Sequence, residues 1–248
     1  MRNSLLRFST SYGLGSGFLT YHSAGLCGLI ILLSLGATAF GIAMGLVAAV
    51  ISINLAGASI PERVPSLALL LLVAYSGLFN DFRLSALVLA AALVFTPIMA
   101  GIGDRGSTSL LHQIAKVLVG WLPAGIIACS LNTLAIRDAS SAGLFLILVY
   151  SHDLGLELCG QRRLAHKFAP ILAVSGALTL LWTSVQISVS PISPQQYWFF
   201  ACVLSVTILL GRLTTQLFAS QNGRQASLLA SHVVAAPLWT AAVVALSL

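Results

Sequence analysis

The stretch "AGLCGLIILLSLGATAFGIAMGLVAAVISINLA" (residues 24–56) contains no charged side chain and few polar ones. A helix needs about 20 apolar residues to cross a bilayer. The stretch is therefore too long for one crossing and short for two. Its glycines at positions 36, 41 and 45 can break the run, because glycine adopts backbone conformations that end a helix. We predict a tight hairpin of two short spans.

The rest of the chain has the same character. Of its 248 residues, 58% are hydrophobic and only 7% are charged, whereas a soluble domain carries about 25% charged residues. The apolar runs are continuous rather than alternating, which favours helices over a barrel. Further runs lie at 66–79, 84–103, 114–136, 142–158, 168–189, 197–212 and 228–248. We expect an all-α polytopic integral membrane protein with about eight or nine transmembrane helices, and one membrane domain over residues 1–248.

The distribution of positive charge predicts the topology. With nine spans and the N-terminus in the cytoplasm, the outer loops carry only Arg83 and Arg137. The inner segments carry Arg2, Arg7, Arg63, Arg105, Lys116, Arg162, Arg163, Lys167, Arg212 and Arg224. This asymmetry follows the positive-inside rule, so we expect the bacterial inner (cytoplasmic) membrane. We interpret the net charge of +6 as loops that face anionic headgroups, not as a nucleic-acid surface.

The acidic residues divide into two groups. Four stand in predicted loops near arginines and are interpreted as solvated pairs: Glu62, Asp81, Asp104 and Asp138 with Arg63, Arg83, Arg105 and Arg137. Asp153 and Glu157 instead fall within an apolar run, four residues apart, and so share a helix face. A carboxylate at bilayer depth is costly and usually faces the protein interior. Its partner is either a cation of the next loop, such as Arg162 or Lys167, in an internal salt bridge, or a divalent metal that also binds phosphate.

The loop that follows is strongly cationic. Arg162, Arg163, His166 and Lys167 stand close together at the predicted cytoplasmic surface. The guanidinium fork matches phosphate geometry, and lysine adds a point charge. The cluster could hold a phosphorylated lipid headgroup or a nucleotide phosphate. The alternative is an ordinary topogenic loop beside anionic lipid.

The stretch "HDLGLELCGQRRLAHKFAP" (residues 152–170) resembles a conserved motif of the membrane phosphatidate cytidylyltransferases, the CDP-diacylglycerol synthases. That motif reads roughly D-x-x-A-Y-x-x-G-R-x-x-G-x-H-K-x-x-P. The matching positions are Asp153, Gly160, Arg163, His166, Lys167, Ala169 and Pro170. After the motif, "ILAVSGALTLL" lacks the lysine pair and the glutamate of the family.

A second stretch, "QNGRQASLLASHVVAAP" (residues 221–237), is similar to the C-terminal signature of the same family. It matches at Gly223, Ser231, Ala235, Ala236 and Pro237. Asn222 stands at a histidine position, and Ser227 and Ala230 replace two aspartates. In the family these aspartates bind the metal between CTP and phosphatidate.

The resemblance covers residues 110–248 and implies a CTP-dependent nucleotidyltransferase, which transfers CMP to a phospholipid phosphate and forms CDP-diacylglycerol. It implies roles for eight positions: Asp153, His166 and Lys167 in catalysis; Gly160, Arg162, Arg163 and Asn222 in substrate binding; Asp153, again, and Glu157 as Mg²⁺ ligands. The replaced acids leave an alternative open, a non-catalytic relative that binds a phospholipid or a partner membrane protein. A homodimer is compatible with both functions.

Two other classes of membrane protein match the sequence less well. "FNDF" (residues 79–82) begins like the N-D-x-x-D motif of the membrane prenyl transferases, but Arg83 and Leu84 follow and no second aspartate cluster does. Asn80 and Asp81 alone are a common turn pair. A transporter would be expected to show an inverted repeat, and none is evident.

Overall fold

The computed structural model describes residues 19–55, 60–103, 109–160, 168–218, 229 and 231–247. Within these ranges every regular secondary-structure element is a helix and no strand occurs, so the predicted all-α class is confirmed. The α-helices are α1 (Leu19–Leu35), α2 (Ala37–Leu55), α3 (Ile60–Ser76), α4 (Phe82–Gly103), α5 (Leu110–Arg137), α6 (Ala139–Gly160), α7 (Ala169–Gln186), α8 (Tyr197–Phe218) and α9 (Ala235–Ser247). A 3₁₀ turn, Gly77–Phe79, follows α3.

Five helices of the described chain are long and apolar enough to cross a membrane: Phe82–Gly101, Leu110–Arg137, Ala139–Cys159, Ala169–Gln186 and Tyr197–Thr214. Shorter apolar helices cover Ser23–Leu35, Ala37–Ile53, Arg63–Phe79 and Ala235–Leu246. The count of eight or nine crossings stays a prediction, as does insertion into a membrane.

The predicted break in the first apolar run is at Gly36. This residue separates α1 from α2 and has φ +133°, which strongly favours glycine. Gly41 and Gly45 do not break the run as predicted, because both lie inside α2. The side chains of Leu78 and Tyr75 fill the space that a Cβ would need at Gly41 and Gly45, so these two glycines permit close helix packing.

The chain divides into two compact units. The central unit is Leu32–Arg137, and the terminal unit combines Met1–Ile31 with Asp138–Leu248. The expectation of one membrane domain over residues 1–248 stays a prediction. The predicted site residues all belong to the terminal unit.

Helix α5 is the helix around which the central unit packs. It is 28 residues long, and hydrogen bonds connect it to each of its neighbours. Ser52 on α2 donates to the Gly120 carbonyl. Trp121 of α5 donates its indole N–H to Thr96 on α4, at 3.1 Å. Such bonds hold helices together in apolar surroundings, where burial alone gives little driving force.

Small residues join α6 to α7 in the terminal unit. Ala173 lies so close to Gly155 that a Cβ added to the glycine would be 3.0 Å from the alanine Cα. Elsewhere in the unit, Trp239 of α9 contacts Phe145 of α6 and Phe200 of α8, with ring centroids 5.7 and 4.8 Å apart. These contacts bring α6, α8 and α9 together.

The predicted Asp–Arg loop pairs are corrected where the structure describes them. Asp81 accepts the backbone N–H of Arg83 at 2.8 Å and so caps α4. Asp138 accepts the N–H of Ser140 at 3.0 Å and so caps α6. A capping carboxylate satisfies amides that otherwise have no partner in a helix. Within the described ranges neither aspartate forms an ion pair, while the Glu62 side chain and Asp104 lie outside them.

The turn that contains "FNDF" also has a structural explanation. Asn80 has a positive φ of 52°, and its Oδ1 accepts a hydrogen bond from Arg137 Nε at 2.7 Å. The Arg137 guanidinium lies 4.8 Å from the centre of the Phe82 ring. Asn80 is therefore a turn residue held by an arginine, as expected for an isolated Asn–Asp pair.

Candidate functional site

The structure describes part of the predicted site. Asp153 and Glu157 lie on α6, and Gly160 is the last residue of that helix. Five predicted residues lie outside the described chain: Arg162, Arg163, His166, Lys167 and Asn222. Their assigned roles stay predictions. The described residues form a polar cluster around Asp153.

The Asp153 carboxylate is the centre of a buried polar cluster. Its Oδ1 accepts hydrogen bonds from Arg212 Nη2 and from Ser231 Oγ, each at 2.7 Å. His152 Nδ1 lies 3.0 Å from the same oxygen. The Asp153 side chain is 19% exposed and that of Arg212 only 3%. The predicted charge compensation of Asp153 is therefore present, and the cation is Arg212.

The three side chains Asp153, Arg212 and Ser231 form a closed hydrogen-bonded ring, which we call the Asp153 cluster. Arg212 Nε donates to Ser231 Oγ at 2.9 Å, while the Ser231 hydroxyl donates to Asp153. The guanidinium fork thus uses two of its nitrogens on two different partners. Planar, fixed donors of this kind suit a buried ion pair better than a lysine would.

The sequence explains why these groups meet. Arg212 is the first charged residue after Lys167 and lies inside the apolar helix α8. A charge so placed is strongly disfavoured unless an opposite charge and hydrogen bonds compensate it. Asp153 supplies the charge from α6, and Ser231 supplies the second acceptor just before α9.

The surroundings of the Asp153 cluster are tightly packed. His152 is fully buried. His232, which follows Ser231, lies edge-on to Phe145 with ring centroids 6.1 Å apart. Protein groups therefore surround most of the carboxylate.

Glu157 lies one turn closer to the end of α6. Its side chain is buried, and no described residue forms an ion pair with it. The predicted shared face of Asp153 and Glu157 is present, since both belong to one helix. Arg212 bonds Asp153 and not Glu157, so the two acids do not share a cation among the described residues.

Magnesium was predicted at Asp153 and Glu157, and the described donors fit it poorly. Magnesium is held by anionic oxygens together with water and substrate phosphates. Asp153 Oδ1 already accepts bonds from Arg212 and Ser231, and the guanidinium would repel a divalent cation. The described part of the chain contains no group of three or more His, Cys, Asp or Glu that could hold a metal.

Arg212 is the residue that sequence reasoning missed. It was assigned to the cytoplasmic charges, but it is nearly buried within α8. The sequence did contain a signal for its interior position, because a lone ionisable residue in a long uncharged run marks an interior or functional position. Ser231, by contrast, matched the second family-like stretch, and it now contacts the first stretch from 78 positions away.

Comparisons of the chain with protein-family models, with curated proteins and with solved structures found no match.

Proposed function

We propose that this chain is an integral membrane protein that binds the phosphate group of a membrane phospholipid without chemical turnover. The Asp153 cluster carries the proposal: Arg212 and Ser231 compensate the buried carboxylate within the protein. The cationic residues that follow α6 in the sequence are then not required to neutralise Asp153. Their charge can act on an anion from outside the protein.

Insertion in the membrane is part of the proposal. Five helices of the described chain have the length and apolarity to span a bilayer, which supports insertion. The eight or nine crossings inferred from the sequence require that shorter apolar helices also cross. The excess of Lys and Arg on one side favours a cytoplasmic N-terminus, as in a bacterial inner membrane. This topology assigns the positive charges of Arg162, Arg163, His166 and Lys167 to the cytoplasmic side, where anionic headgroups attract basic segments.

The ligand is inferred from the charge of this loop. Two arginines and a lysine within six positions match a phosphate monoester, which offers several acceptor oxygens and up to two negative charges. Phosphatidate presents such a group at headgroup level. We therefore expect phosphatidate to be preferred over phosphatidylcholine, whose phosphodiester carries one charge beside a choline cation.

Cytidylyl transfer is the second candidate, and one observation favours it. The two stretches that resemble the family meet at Asp153 and Ser231, 2.7 Å apart. In that reaction a phosphatidate oxygen bonds to the α-phosphorus of CTP while the bond to pyrophosphate breaks. Such chemistry depends on positioning and charge neutralisation. It ranks second because its proposed metal ligand, Asp153, already pairs with Arg212.

Lipid retention tests the binding function. The purified protein, in nanodiscs of phosphatidylcholine with a minor fraction of phosphatidate, is analysed for the phosphatidate that it retains. We expect the triple variant Arg162→Gln, Arg163→Gln, Lys167→Gln to lose about tenfold in phosphatidate affinity. The control, Arg83→Gln, changes an exposed arginine at the start of α4 and should bind like the original protein. Equal binding by the triple variant would overturn the proposal.

Pyrophosphate release decides between the two candidates. The same nanodiscs are supplied with CTP and Mg²⁺, and pyrophosphate is measured over time. The binding function predicts none above a protein-free control. Release that requires phosphatidate and disappears in Asp153→Asn would instead establish cytidylyl transfer.

A further inference from the structure

The turn between α7 and α8 lies in a part of the chain without charge. No Asp, Glu, Lys or Arg occurs from residue 168 to residue 211, a segment that includes both helices up to Arg212. The turn itself reads "ISVSPISPQQ" (residues 187–196). Turns exposed to water usually carry charged or strongly polar side chains, whereas this one has only hydroxyls and amides beside its apolar groups.

The tip of the turn exposes large apolar side chains. Ile187 is 68% and Val189 is 73% exposed, and Trp198, in the first turn of α8, is 78% exposed. Trp182, in the last turn of α7, is also exposed. Such a concentration of exposed apolar groups indicates a surface that meets something other than water. Tryptophan in particular is enriched where headgroups meet acyl chains.

The backbone N–H groups of the turn find their acceptors close by in the chain. Every backbone N–H from residue 187 to residue 197, except that of Gln195, donates a hydrogen bond either within the turn or to the end of α7, at distances of 3.0–3.4 Å. Pro191 and Pro194 have no N–H to satisfy. A turn in water does not need protein acceptors for its N–H groups, because water can accept those hydrogen bonds. A turn outside bulk water does, since each unpaired polar group there is costly.

We propose that the α7–α8 turn is an interfacial membrane element, with Ile187, Val189, Trp182 and Trp198 at the boundary between headgroups and acyl chains. This inference rests on the membrane insertion that the proposed function includes. The partner is the lipid surface itself. Because the segment is uncharged, its depth should be the same in zwitterionic and anionic bilayers.

Tryptophan quenching tests the position of the turn. The chain has four tryptophans, of which Trp121 and Trp239 are fully buried. The protein is reconstituted with lipids brominated near the top of the acyl chain, and iodide serves as the aqueous quencher. We expect the double variant Trp182→Phe, Trp198→Phe to lose about half or more of the bromolipid quenching. The matched control Trp239→Phe should retain it.

The outcomes separate the position of the turn from insertion itself. Protein that stays in the vesicles after a carbonate wash but shows strong iodide quenching of Trp198 would overturn the interfacial position alone. Protection of both tryptophans from both quenchers would mean that protein covers the turn, and would also overturn it. A dependence of bromolipid quenching on anionic lipid would contradict an uncharged contact. Protein lost in the wash would overturn this inference and the proposed membrane insertion together, whereas failed phosphatidate retention alone would leave the turn unaffected.

Discussion

Asn132 in the central unit and Asp153 in the terminal unit are nearly isosteric polar residues in apolar helices, the first fully buried and the second partly buried, but their partners differ. Asn132 Nδ2 donates to the Ala74 carbonyl at 2.9 Å. Asp153 bonds the side chains of Arg212 and Ser231. The amide is thus connected to the backbone of a neighbouring helix, whereas the carboxylate is connected to another charge.

The difference in partners predicts different energetic costs when the two positions are changed. A neutral amide bound to a carbonyl joins two helices at modest cost. A buried ion pair is costly to desolvate, and apolar residues of similar volume often serve stability equally well. In the proposed function the pair of Asp153 and Arg212 connects α6 to α8 and does not bind the phosphate, and removal of either partner alone should be strongly destabilising.

Loss of Arg212 should have the largest effect. In Arg212→Met the Asp153 carboxylate stays buried without its cation, and breaking a buried pair costs about 3–5 kcal/mol. We expect a decrease of this size in the free energy of unfolding, measured by SDS titration of the protein in detergent micelles. A decrease below about 1 kcal/mol would fit a solvated surface pair and would contradict the buried cluster.

The matched control replaces both charges. Asp153→Leu combined with Arg212→Met leaves no uncompensated charge, so its stability should recover most of the way toward that of the original protein. The folded double variant should also retain phosphatidate, because the proposed binding groups are the cations after α6. Recovered stability with lost retention would place Arg212 itself in the binding site.

The reciprocal exchange at Asn132 should have a smaller effect. Asn132→Asp replaces the Nδ2 donor with an oxygen that faces the Ala74 carbonyl, and no described residue forms an ion pair at this position. Because a fully buried carboxyl group without a cation takes up a proton and becomes neutral, we expect a loss of about 2 kcal/mol, the usual cost of a buried polar group without a matched partner, in the same SDS titration. An unchanged stability would mean that water or a cation reaches the new carboxyl group, and the contrast with Asp153 would fail.

The sequence predicted the local features of this molecule. Helices follow from continuous apolar runs, and a break in the first run follows from the limited number of apolar residues that one span needs, although the sequence did not distinguish Gly36 from Gly41 and Gly45. The capping role of Asp81 and Asp138 was also readable, since each directly precedes an apolar helix. It was missed because the neighbouring arginines suggested ion pairs instead.

The partner of Asp153 was not predictable in the same way. Arg212 is 59 positions away, and no local periodicity determines which face of α8 meets α6. Sequence reasoning required a cation near Asp153, and the loop that follows α6 offered the nearest ones along the chain. The correct partner was set by helix packing, which only the three-dimensional structure contains.

Ser231→Ala should have the smallest effect and gives the finest distinction. The variant removes one hydrogen bond to Asp153 and one from Arg212 but keeps the ion pair, so about 1 kcal/mol of stability should be lost. Ser205→Ala is the control, because the Ser205 hydroxyl bonds only the Ala201 carbonyl of its own helix and should be nearly neutral. Phosphatidate retention should be unchanged in both variants if Ser231 only positions the pair. Retention lost in Ser231→Ala at unchanged fold would instead assign the hydroxyl to the phosphate, and the Asp153 cluster would then be part of the lipid site rather than its support.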